Sequence, residues 1–207
     1  VSRLIEDSRH ELRSLLVNEA ALKALAPLFP RLSAPVYLCE PRFFERLTGH
    51  HFHRGCLALA ARPPGAAPLE LAARARALLV LDRVADPDNV GSVFRSALAF
   101  GVDAVWLGPG SADPLSRKAI RTSMAATLRV PFAAGDGAHW PGCLDRLRER
   151  GFELIALSPN PTNEELHGFV RADDAAFALL VGSEGEGLTP DVEARATRRL
   201  RIAMRAG

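Results

Sequence analysis

The feature that most constrains this chain is a strand that runs into a helix through an acidic, proline-bearing loop, residues 78–101, LLVLDRVADPDNVGSVFRSALAFG. Residues 78–81 are consecutive apolar residues with the length and branching of a buried strand, and the segment 82–88 breaks it. A helix over residues 89–100 follows, with Asn89 placed to cap it. Val90, Val93, Phe94, Ala97, Leu98 and Phe100 recur at helical spacing, so one face is apolar and packs on a sheet. Gly101 ends the helix by taking a left-handed conformation. Packing leaves two polar residues unaccounted for, Asn89 at the helix mouth and Arg95 about two turns on. Taken alone, Asn89 reads as a helix cap and Arg95 as a solvated helix charge, and these bland readings are favoured.

The same alternation extends through the rest of the chain. Residues 12–17, 36–39 and 55–60 read as strands, with helices over 20–29 and 42–47, which makes a small α/β unit over residues 1–61. Residues 62–73 open with Arg-Pro-Pro-Gly and read as a linker. A larger unit over 74–207 carries strands at 78–81, 104–107, 129–132, 153–157, 176–181 and 200–204, with helices over 89–100, 114–125 and 140–150 between them. This order predicts a parallel sheet covered on both faces, and such sheets bind ligands beyond the carboxyl ends of their strands.

Composition removes several function classes. No apolar run reaches the roughly 18 residues that span a bilayer. The 26 Lys and Arg against 24 Asp and Glu leave a net charge of only +2, so any nucleic acid must be met by a local patch. Cys39, Cys56 and Cys143 are few and far apart, which fits reduced thiols in a cytoplasmic protein better than disulfides or a zinc site. His50, His51 and His53 lack a cysteine or carboxylate at ligand spacing, so no metal is expected; with Arg54 they suit a positive loop near RNA. Arg117, Lys118 and Arg121 form one basic run and Arg195, Arg198, Arg199 and Arg201 another; each is a solvated face or a phosphate contact.

The second informative stretch is residues 178–190, ALLVGSEGEGLTP. A buried strand runs into Gly182, Gly185 and Gly187, which let the backbone approach a ligand and expose its amides, with Glu184 inside the turn. Its G-x-x-G-x-G spacing differs from the dinucleotide fingerprint, and it follows a late strand, which disfavours a nicotinamide enzyme.

With these stretches in one domain, the sequence resembles the SpoU (TrmH) family of RNA ribose 2′-O-methyltransferases, within the SPOUT superfamily. The first family motif is matched by DPDNVGSVFRSALAFGVDAVWL, the second by LLVGSEGEGLTP, and the third is begun by RIAMRAG. Residues 53–58, HRGCLA, look like the segment joining a ribosomal-protein-like RNA-binding domain to the catalytic one. The resemblance implies S-adenosylmethionine as cofactor, held in a carboxyl-terminal trefoil knot, a topology that no propensity argument produces. It carries the catalytic set onto Asn89, Arg95 and Glu184, and cofactor contacts onto Gly182, Leu188 and Ile202. A guanidinium stays protonated, so Arg95 is expected to grip an RNA phosphate or the developing alkoxide, with Glu184 pairing with Arg95 to hold its fork.

The implied protein is a homodimer acting on structured RNA, ribosomal RNA ahead of transfer RNA, with no membrane and no metal. The other reading is a non-catalytic RNA-binding or ribosome-assembly protein on the same fold. Ala203 stands where the family has proline and the sequence stops at Gly207 within the third motif. Both ends are therefore expected to be incomplete, and this fragment alone to bind cofactor weakly or not at all.

Overall fold

The computed structural model describes residues 1–6, 9–49, 55–135, 137–170 and 175–203. The chain divides into two compact units, Val1–Pro64 and Gly65–Gly207. In the first, α1 (Ser2–Glu6), β1 (Leu12–Val17), α2 (Glu19–Leu25), β2 (Val36–Leu38), α3 (Pro41–Thr48) and β3 (Cys56–Ala60) follow one another. Their three strands lie in the order β2-β1-β3, with β1 parallel to β2 and antiparallel to β3. Leu15, Val17 and Ala21 form the centre of the core, and the Asn18 side chain caps α2 by accepting from the Ala21 amide at 2.8 Å. The helix expected over 20–29 stops at Leu25 and continues as a 3₁₀ segment, Ala26–Arg31, because Pro27 and Pro30 bring no amide to an α-helical ladder.

The second unit contains α4 (Pro68–Ala72), β4 (Ala77–Asp82), α5 (Pro87–Ala99), β5 (Ala104–Leu107), α6 (Arg117–Thr122), β6 (Phe132–Ala134), α7 (Cys143–Glu149), β7 (Glu153–Leu157), β8 (Glu164–Glu165), β9 (Phe177–Gly182), α8 (Pro190–Glu193) and β10 (Arg198–Arg201). Among the described residues its seven strands form one sheet in the order β6-β5-β4-β9-β7-β10-β8, and every pairing is parallel. All carboxyl ends therefore lie along one edge. Strand β10 is inserted between β7 and β8, which are consecutive in the chain.

Alternation along β4 builds two cores from one strand. Leu78 and Val80 face a cluster with Trp106, Leu144, Leu147, Val192 and Ala196, whereas Leu79 and Leu81 face Val90, Phe94, Ala97, Val105 and Leu107. Phe94 is fully buried and meets Phe132 edge-on, with ring centroids 5.9 Å apart and planes at 81°.

Several boundaries differ from the sequence expectation for identifiable reasons. The segment expected as linker contains α4, which starts on a proline and buries Ala72. Helix α5 begins at Pro87, and its cap is Asp86, whose side chain accepts from the Asp88 amide at 2.8 Å; Asn89 lies inside the first turn. Phe100 falls past the last turn and is 86% exposed, so it is not part of the buried face, and Gly101 takes φ +71 as expected. The helix expected over 114–125 is confined to α6, since Met124 and Ala125 both adopt positive φ, which breaks it. Strand β6 begins at Phe132, where residues 129–132 were expected. The last strand lies two to three residues earlier than the apolar run suggests, its charged residues Arg198 and Arg199 included.

Candidate active site

Asp82 and Gly182 are paired residues at the carboxyl ends of the adjacent strands β4 and β9, so the loops leaving these strands start side by side. Asn89, in the first turn of α5, donates from Nδ2 to Glu184 Oε2 at 3.1 Å. That contact joins two stretches 95 residues apart in the chain and brings together two of the three residues expected in the polar set.

Among the described residues the expected pairing of Glu184 with Arg95 does not form. Glu184 takes its hydrogen bond from Asn89, and among the described residues Arg95, which is exposed, pairs with no carboxylate. Arg95 follows Asn89 by six residues, about 9 Å further along the helix axis.

The glycine turn is tight. Ser183 and Gly187 exchange two backbone hydrogen bonds, at 3.1 and 3.0 Å, and Gly187 takes φ +71. A Cβ on Gly182 would lie 2.0 Å from the Gly187 carbonyl carbon and 2.2 Å from both its oxygen and the Leu188 nitrogen, so only glycine fits there. Leu188 is buried in the sheet core, whereas Ile202, just past β10, is 61% exposed. In the strand order β9-β7-β10, Gly182 and Ile202 lie at strand ends on either side of the carboxyl end of β7.

Three contacts at this edge escaped the sequence reading. Asp82 Oδ2 accepts from the Thr189 amide at 2.7 Å and from its hydroxyl at 2.8 Å. Arg83, at φ +57, pairs with Glu186 at 2.7 Å across the mouth. Asp88 accepts from the Thr122 hydroxyl at 2.7 Å and pairs with Lys118 at 2.9 Å. The Thr122 hydrogen bond, reinforced by Lys118, holds the Asp88 carboxyl below its ordinary value, and Asp88 in turn raises the Lys118 ammonium. The only sequence signal for the first contact was an acid at the end of an apolar strand.

The basic runs are largely taken up within the protein. Lys118 is committed to Asp86 and Asp88, Arg195 to Asp145, Arg198 to Glu153 and Glu164, Arg199 to the Glu193 carbonyl and Arg201 to Glu165. His50, His51, His53 and Arg54 lie outside the described residues. Among the described residues no group of three or more His, Cys, Asp or Glu is placed to hold a metal ion, and no helix is long and apolar enough to cross a membrane.

Comparison with known proteins identifies the family. A model of the SpoU rRNA methylase family matches residues 76–207. An uncharacterized tRNA/rRNA methyltransferase of Mycobacterium tuberculosis is 39% identical over 201 residues, covering 97% of this chain and 69% of the relative. The 23S rRNA (guanosine(2553)-2′-O)-methyltransferase RlmP of Bacillus subtilis is 34% identical over 123 residues, covering 58% of this chain and 46% of RlmP. The fold is shared with the SpoU methyltransferase AviRb of Streptomyces viridochromogenes, solved in complex with AdoMet, at a TM-score of 0.82 and 18% identity over 100% of this chain and 79% of AviRb. The chain belongs to the SpoU rRNA methylase family, whose RNA methyltransferases use S-adenosylmethionine.

Proposed function

We propose that this protein methylates a ribose 2′-hydroxyl in structured RNA, ribosomal RNA in particular, with Asn89, Arg95 and Glu184 as the polar catalytic set and Gly182, Leu188 and Ile202 holding the cofactor. The observation that carries this reading is the Asn89–Glu184 hydrogen bond, which unites the first and second motifs at the ends of neighbouring strands. The similarity to RlmP, a 2′-O-methyltransferase of 23S rRNA, supports ribose over base and ribosomal over transfer RNA.

When bound, S-adenosylmethionine supplies a methyl group on a sulfonium, open to in-line attack by an oxygen nucleophile. The protein's task is then alignment and charge. Asn89, fixed by Glu184, keeps its amide oxygen for the ribose or the RNA backbone. Arg95, protonated, would grip a phosphate or the alkoxide forming at O2′, while the hydroxyl proton would leave to water. The Val1–Pro64 unit serves as the RNA-recognition domain in this proposal, and the active species is a homodimer in the cytoplasm. The placement of β10 between β7 and β8 supports a carboxyl-terminal knot, because chain continuing from β10 emerges beneath the loop that links those two strands.

The test is methyl transfer from labelled S-adenosylmethionine to 23S rRNA and to tRNA, followed by alkaline hydrolysis, which spares the bond beside a 2′-O-methyl ribose. Label in alkali-resistant dinucleotides of rRNA is expected, and label on bases refutes the reaction. Arg95→Ala is expected to abolish transfer while leaving cofactor affinity within about twofold, and normal turnover in that variant removes Arg95 from the mechanism.

A further inference from the structure

Asp82 is 1% exposed at the carboxyl end of β4, and burying a carboxylate is costly unless hydrogen bonds replace the lost water. Among the described residues, both hydrogen bonds it accepts come from one residue 107 positions away, Thr189, and both fall on Oδ2, while the buried Oδ1 accepts none. Thr189 is the cap residue of α8, a position where a hydroxyl commonly accepts from an amide of the first turn. Here it makes no such bond, and its hydroxyl donates to Asp82 instead.

The segment 182–189 is thereby fixed at both ends by the same residue of β4. Gly182 is the ladder partner of Asp82, and Thr189 holds its carboxylate. Between these points Glu184, Gly185 and Glu186 are exposed. Their ties to Asn89 and Arg83 are exposed too and contribute little to holding a shape. The Ser183 and Gly187 hydrogen bonds close the turn on itself, and the Thr189 bonds, shielded from water, fix that closed turn against β4.

We infer that Asp82 is a positioning residue for the cofactor turn, acting through the Thr189 hydroxyl to keep residues 182–188 in the binding-competent shape. The inference rests on reading that turn as the cofactor site. A turn released at Thr189 populates the competent shape less often, and apparent affinity falls by the same fraction.

Thr189→Val removes the hydroxyl while keeping the branched shape and the amide, and it costs α8 no side-chain cap. Calorimetric titration with S-adenosylmethionine is expected to show about tenfold weaker binding for Thr189→Val and affinity within twofold of the parent for Thr189→Ser. In steady state the KM for the cofactor rises by a similar factor, while kcat and the KM for RNA change less than twofold. Amide exchange is expected to quicken across 182–189 alone. If the cofactor protects 182–189 in the parent and Thr189→Val binds it normally, the positioning role is overturned and the site stands. Exchange that quickens throughout Gly65–Gly207 also overturns it, because the bond is then general support. If the cofactor gives 182–189 no protection in the parent protein, the assignment of the turn itself fails.

Discussion

Substituting Gly182 by alanine tests the turn where its geometry is least forgiving. The added Cβ lies 2.0–2.2 Å from three backbone atoms of Gly187 and Leu188, whereas ordinary contacts begin near 3.4 Å, so the two limbs must separate by more than 1 Å. Overpacking of this kind costs about 1–3 kcal/mol, and backbone atoms cannot escape by changing rotamer. Separation also stretches the two Ser183–Gly187 hydrogen bonds beyond bonding range, at roughly 1 kcal/mol each. With partial relaxation the turn shape is disfavoured by about 3 kcal/mol, which is on the order of a hundredfold in cofactor affinity. Gly185→Ala is the control, since its Cβ meets open space, and affinity within about threefold is expected there. Calorimetric titration with S-adenosylmethionine, alongside thermal melts to show that both variants fold, reads the contrast. Wild-type affinity in Gly182→Ala, or equal losses in both variants, would refute the reasoning.

Asn89→Ala removes the hydrogen bond to Glu184, an exposed contact, so unfolding midpoints should barely move while methyl transfer falls about tenfold; an unchanged transfer rate would detach the pair from the site. The tie between α5 and α6 has a defined pH window. Asp88 lies below its ordinary 3.8, so its contribution is present above that value and is lost as pH falls through the lowered one. Lys118 lies above its ordinary 10.5, so its share is present below that value and is lost as pH rises through the raised one. The tie is therefore constant across neutral pH. Carboxyl NMR should show Asp88 titrating upward, toward 3.8, in Thr122→Val, and an unmoved titration would show that the hydroxyl is not its main support.

Much of the larger sheet was legible because its central strands are unbroken apolar runs. β5 and β7 fall on residues 104–107 and 153–157 as expected, and β4 is longer than expected by one residue at each end. Strands at the sheet's far edge were harder to read, since β8 is two glutamates and β10 is three-quarters arginine, so neither looks apolar. The start of α5 was misplaced because Asp-Pro-Asp was read as a breaking loop, whereas Asp86 followed by Pro87 is itself a helix-start signal. Asn89 and Glu184 could be nominated from their motifs, but their contact depends on β4 lying beside β9, a long-range pairing that no local spacing encodes. Asp82 looked like the residue that ends a strand. Only burial and its two bonds to Thr189 reveal more.

The insertion of β10 between β7 and β8 sets an assembly problem, because the filler is synthesised after both walls of the slot. Were the earlier strands to close on each other first, the newcomer would find no place. Charge disfavours that error: Glu153 on one wall and Glu164 and Glu165 on the other carry the same sign and gain nothing from closing on each other. The arriving strand brings the complement, Arg198 reaching Glu153 and Glu164 and Arg201 reaching Glu165. Each such exposed ion pair adds little to final stability. Together they choose the neighbour, so neutralising the glutamates should leave the finished fold nearly as stable while letting nascent chains misassemble more often.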